Sequence, residues 1–102
     1  MASLDHIGAH KTKVSTEHGI SSVQYHHTVV FEYNRNDHSL TLRSGGWETV
    51  TTKTRINQAC NVFGLDVQVY QEDYEWFVQC GDKTYSFQNG MVLEVKNETA
   101  NM

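Results

Sequence analysis

The chain has 102 residues, 38% of them apolar and 20% charged, with a net charge of −4 and no proline. That length suits one domain built on one core and leaves no room for two. The acidic balance argues against general duplex-DNA binding, which needs a basic surface to displace counterions, yet it is too mild for a DNA mimic.

The charge is unevenly spread. Met1 to Arg55 carries six Lys/Arg against five Asp/Glu, whereas Ile56 to Met102 carries two against seven, so the back half holds the excess of acid. No apolar run approaches the roughly 20 residues of a membrane helix, and Met1-Ala2-Ser3-Leu4-Asp5-His6 lacks the basic-then-apolar order of a signal peptide. The expectation is a protein that stays where it is made, without membrane contact. Cys60 and Cys80 sit among core-type neighbours and read as two buried thiols rather than a disulfide. Asn97-Glu98-Thr99 matches a glycosylation sequon without a secretory context.

Taken in chain order, residues 1–22 read as a polar arm, with an edge strand over His10 to Glu17 and a turn at His18-Gly19. From Val23 to Tyr33 the alternation predicts one long strand with Val23, Tyr25, His27, Val29, Phe31 and Tyr33 on its buried face. Asn34-Arg35-Asn36-Asp37 supplies turn chemistry, and Leu40-Thr41-Leu42 resumes the alternation, so a hairpin is predicted.

After Ser44-Gly45-Gly46 the period changes. Ile56, Ala59, Cys60 and Phe63 recur at three- and four-residue steps and predict a helix over Thr51 to Phe63, capped by Thr51 or Thr52 and stopped at Gly64. Beyond it, Val67 and Val69, then Trp76 and Val78, alternate as strands, and two further strands, Thr84 to Phe87 and Met91 to Val95, flank the hairpin signal Asn89-Gly90. The predicted class is α+β, an antiparallel sheet in the order (β)ββ-α-ββββ with one central helix laid on its apolar face. The domain is bounded at residues 23–97, with 98–102 as a short tail.

Chemistry is concentrated at the strand-to-helix junction. Two glycines free the backbone ahead of a helix N-terminus, whose exposed N–H groups favour an anion. There Gly45, Gly46, Thr49, Thr51, Thr52, Lys53 and Arg55 form a candidate phosphate site, with Trp47 as a stacking face for a base. The spacing is not that of a phosphate-binding loop, and a Gly-Gly bend followed by threonine caps also serves any strand-to-helix junction.

Other constellations are weak. His26 and His27 are adjacent on a strand and point to opposite faces, His6 and His10 lie in the arm, and the cysteines have no partner spacing, so no metal or cofactor is expected. Cys60 reads as an inert core thiol, and Glu72, Asp73 and Glu75 crowd a predicted turn, so no catalytic residue and no enzyme activity is expected. Strict alternation puts Trp76 and Phe77 on opposite sides of their strand, which leaves aromatic surface away from the helix. A partner, a second copy of the chain, or the N-terminal strand would cover it. Tyr70, Glu72, Asp73, Tyr74, Glu75, Trp76 and Phe77 are therefore the candidate partner-binding residues.

The run Ser44-Gly45-Gly46-Trp47-Glu48-Thr49-Val50-Thr51-Thr52-Lys53-Thr54-Arg55-Ile56-Asn57, followed by Phe63-Gly64-Leu65, Trp76-Phe77-Val78 and Asn89-Gly90-Met91, resembles a group of small proteins encoded by tailed bacteriophages. The likeness covers Thr28 to Val95 and carries no activity with it. It implies a context, the cytoplasm of an infected bacterial host, where proteins of this size often bind a host component or sequester a signalling nucleotide. Two readings follow: an accessory protein acting by contact with a host or phage protein and able to self-associate, or a protein that captures a phosphorylated small molecule or nucleotide at the Gly-Gly-Trp junction. Single-stranded nucleic acid is a weaker third, because so little positive charge accompanies the sheet aromatics.

Overall fold

A computed structural model describes residues 11–46 and 49–95. Four strands precede one helix and four follow it: β1 (Thr12–Glu17), β2 (Ile20–Tyr25), β3 (Thr28–Asn34), β4 (Ser39–Leu42), α1 (Val50–Val62), β5 (Val67–Glu72), β6 (Glu75–Cys80), β7 (Lys83–Ser86) and β8 (Met91–Glu94). The class is α+β with antiparallel pairing throughout, as the patterning predicts. The strands form two sheets rather than one, a five-stranded sheet in the order β1-β2-β3-β4-β8 and a three-stranded sheet β5-β6-β7.

The long strand expected over Val23 to Tyr33 is instead two, folded back at His26-His27. His26 takes a left-handed φ of 57°, which histidine tolerates better than most side chains, and its N–H is fixed by the Lys11 carbonyl at 2.8 Å. A register shift follows, because Val23 faces Phe31 while Gln24 faces Val29, which leaves Val30 as the extra residue of a bulge. The bulge explains why Val30 and Phe31 are both buried, against simple alternation.

The edge strand predicted before His18-Gly19 is β1, which pairs along its length with β2 through a turn with positive φ at both His18 and Gly19. Asn89-Gly90 does not close a hairpin between β7 and β8. Gly90 N–H instead donates to the Leu42 carbonyl at 2.8 Å, and β8 crosses to the first sheet to pair with β4.

The cap lies two residues before the first candidate, Thr51. Thr49 is the N-cap, its hydroxyl accepting from Thr52 N–H at 3.2 Å. At the other end Gly64, with φ of 71°, donates to Asn61 O while Leu65 donates to Cys60 O, the paired bonds that close a helix through a left-handed residue. Ile56, Ala59 and Cys60 are buried, and α1 packs on β2 and β3 on one side and on β5 on the other. The core is shared by both sheets and runs from Val23, Phe31, Tyr33, Leu40 and Leu42 through the helix to Val69, Trp76 and Val78.

One side chain stands in for a strand. The Asn57 amide donates to Val69 O at 2.9 Å and accepts from Val69 N–H at 2.8 Å, closing the edge of β5 that faces the helix. Replacing Asn57 with Leu leaves both backbone groups without these bonds, at a cost of about 1–3 kcal/mol. Urea unfolding should show a lower midpoint with an unchanged slope, and exchange of the Val69 amide proton should accelerate more than that of Val78.

Candidate functional site

The junction after β4 is held from the far end of the chain. Asn89 Oδ1 accepts from Ser44 N–H at 2.9 Å and from Gly45 N–H at 3.2 Å, and Ser44 Oγ accepts from Gly46 N–H at 3.3 Å. Gly45 has φ of 63° and lies against Thr28, so a Cβ there would run into the Thr28 hydroxyl. The double glycine thus has a steric reason apart from any ligand. Trp47 falls outside the described residues.

The cations predicted to grip phosphate do not converge. Residues 53 and 55 are about 200° apart around a helix, and their side chains go to different sheets. Lys53 Nζ donates to Gln71 Oε1 at 3.2 Å on β5 and lies 5.6 Å from the Trp76 ring centroid. Arg55 is only 8% exposed; its Nε donates to Thr12 Oγ1 on β1, a terminal nitrogen donates to Gln58 Oε1, and the guanidinium lies 5.7 Å from the Tyr25 ring.

A cavity does open at this junction, with a different lining. A volume of about 340 Å³ is lined by Tyr25, His26, His27, Thr28, Val30, Ser44, Thr49 and Thr52. Of the described residues predicted for a ligand here, Thr49 and Thr52 reach it; Gly45 supports it through Thr28, while Thr51 is half-buried on the helix and Gly46 is open to solvent. Sequence reasoning missed the aromatic wall because it carried one strand through His26-His27. Two alternating runs separated by two residues able to take a left-handed turn were the available signal.

The second candidate region is the three-stranded sheet. Its inner face carries Val69, Val78 and Trp76, the last buried with its ring edge-on to Phe87 at 5.3 Å. Tyr70 and Phe77 are stacked with centroids 5.6 Å apart on the opposite face, as the alternation predicts for Phe77. With Glu72, Asp73, Glu75 and Thr84 they line an open depression of about 300 Å³. Trp76, grouped with these residues by sequence, lies on the other side of the sheet because it is one step along an alternating strand.

The β5–β6 turn is unusual. Asp73 and Tyr74 are its two central residues, with φ of 53° and 68°, a geometry that glycine and asparagine favour. Tyr74 is 95% exposed. Around it Glu72, Asp73 and Glu75 are all exposed, and among the described residues the ion pair is elsewhere, between Arg43 and Glu32 at 3.5 Å.

With both regions placed, comparison with known proteins gives the context. Residues 2–94 match the family model described as Kyanoviridae Gp96 protein. The chain belongs to this family of phage proteins. No curated protein and no solved structure matches it. The match to the Kyanoviridae Gp96 family spans the junction, the cavity and the acidic turn alike, so it sets the biological setting without choosing between them. Among the described residues no helix is long and apolar enough to cross a membrane, and no three His, Cys, Asp or Glu side chains gather around a metal position.

The two cysteines are free thiols in unequal surroundings. Burial pushes Cys60 from its ordinary 9.0 up to about 12, and burial followed by the Asp66 charge raises Cys80 less. The unfolded chain ionises Cys60 near 9.0, so this contribution to stability is complete below that pH and is lost as the pH climbs toward about 12. A thiol reagent at pH 8 should label half-buried Cys80 first and reach Cys60 only as the protein unfolds. Relieving the left-handed tyrosine by Tyr74→Gly should stabilise the fold by about 1 kcal/mol, read as a rise in thermal midpoint.

Proposed function

We propose that this phage protein is an accessory factor that works by protein–protein contact in the infected bacterial cell, docking a basic partner of host or phage origin through the outer face of β5-β6-β7 and the Glu72–Glu75 turn. The observation that carries this reading is Tyr74, a large aromatic side chain 95% exposed on a backbone that disfavours it. A residue that costs about 1–2 kcal/mol where it stands, and touches little, is better explained by what it meets in a complex than by the fold.

Charge and area refine the partner. Glu72, Asp73 and Glu75 flank the ring and form no ion pair with a described residue, so like faces repel and a copy of this face is a poor partner for itself. Three strands about 4.8 Å apart and about 20 Å long present roughly 280 Å², well short of the ~800 Å² per side of a standard interface. Affinity must then be concentrated in Tyr74, with the stacked Tyr70 and Phe77 beside it, and the contact should be transient and weakened by salt. Phosphate capture by Lys53 and Arg55 is the less favoured reading, since both are engaged with the protein on opposite sides of α1.

The test uses immobilised protein and host lysate, with the captured partner then purified for titration. Tyr74→Ala should weaken binding about thirtyfold, equivalent to about 2 kcal/mol. Reversing Glu72 and Glu75 to Lys should abolish it. Capture that survives both changes overturns the reading, as does the absence of any stoichiometric partner.

A further inference from the structure

We infer that the cavity between the β2–β3 turn, the end of β4 and the first turn of α1 is a binding site for a planar heterocycle of nucleoside size, recognised by ring and edge contacts rather than through phosphate. It is built from elements that the proposed docking face does not use, and it stands or falls separately. Its volume of about 340 Å³ lies within the range of small-molecule sites.

The lining has two chemistries. Tyr25, His26, His27 and Val30 give ring and apolar surface, while Thr28, Ser44, Thr49 and Thr52 bring four hydroxyls from three separate chain segments. The Tyr25 ring is fixed on two sides, by the His26 ring edge-on at 4.3 Å and by the Arg55 guanidinium at 5.7 Å, so a stacking surface exists before any ligand arrives. The hydroxyls are equally fixed. Thr52 and Ser44 are buried, Thr49 and Thr52 bond each other at 3.0 Å, and the Thr28 hydroxyl is pressed against Gly45 without a hydrogen bond to any described residue. Each hydroxyl can both donate and accept, so capacity remains for the edge of a base.

The same lining disfavours a phosphate. Among the described residues no Lys or Arg lines the cavity, and Lys53 and Arg55 turn to Gln71 and Thr12 instead. Moving a dianion from water into a pocket with no Lys or Arg among its described lining is costly, whereas an uncharged ring with polar edges meets partners for both.

The experiment is a titration of the full chain, followed by backbone amide resonances, with adenosine, guanosine, cytidine and uridine in turn and with ribose 5-phosphate as the ring-free probe. At least one nucleoside should shift the amides of Tyr25, His26, His27, Thr28, Ser44, Thr49 and Thr52 saturably. Ribose 5-phosphate should shift none of them. Tyr25→Leu should weaken the binding about tenfold or more, and Thr28→Val, which keeps the shape and removes the hydroxyl, about fivefold; Phe77→Leu on the docking face should leave it unchanged. Should Tyr25→Leu fail to fold, Thr28→Val carries the test. The inference is overturned if none of the four nucleosides gives a saturable shift at millimolar concentration, if ribose 5-phosphate reproduces the pattern, or if the shifted amides cluster at Tyr70 and Phe77.

Discussion

The fold depends on α1 lying between two sheets that share no strand. Ile56, Ala59 and Cys60 fill the space where the inner faces meet, and Asn57 ties the helix to the backbone of β5 as a neighbouring strand would. Without that wedge the three-stranded sheet would have an open edge and an uncovered apolar face, and neither is stable alone in water. Both candidate surfaces inherit their geometry from it. The first helical turn supplies Thr49 and Thr52 to the cavity, and the helix takes the Trp76 side of β6, which leaves Tyr70 and Phe77 on the outside.

The helix also anchors the polar edge of the larger sheet. β1 is exposed along nearly all of its length, so burial contributes little to holding it. Arg55 reaches it instead, donating to Thr12 while its cation rests over Tyr25 on the next strand. A buried guanidinium is expensive unless its donors are used and its charge is met, and here hydroxyl, amide and ring share that role. Lys53 does the mirror task on the other sheet through Gln71 and Trp76. The two cations therefore explain the packing of the two sheets on one rod, which is why their spacing read as a ligand site in the sequence.

What could be read from the sequence was local. The 3.6-residue period marked α1, Gly64 marked its end, and alternation separated Trp76 from Phe77 correctly. What failed was long-range or compensated. A histidine turn hides inside an alternating run because its two residues keep the period of two, and the bulge at Val30 then moves a side chain to the other face. Asn89-Gly90 carries strong hairpin chemistry, but its amide is used by Ser44 and Gly45, 45 and 44 residues away, and that contact is invisible in a local window. The acidic, aromatic character of the β5–β6 region was legible; the left-handed backbone under Tyr74 was not.

The left-handed positions of the chain differ in what accounts for them. Gly19 and Gly45 occupy left-handed positions where close neighbours or tight geometry leave little choice, so they are accounted for by folding alone. Tyr74 occupies such a position with nothing crowding the turn and a ring in water, so folding would be served better by glycine. Local rules are broken at a cost where something other than stability is being selected. The cavity lies at the opposite extreme, with Thr49 and Thr52 bonded to each other and the Tyr25 ring held by His26 and Arg55. Side chains fixed in advance suit a small ligand, since little order remains to be imposed on binding, whereas an exposed ring on a two-residue turn suits a broad, weakly held surface. The helix keeps the two regions on different elements.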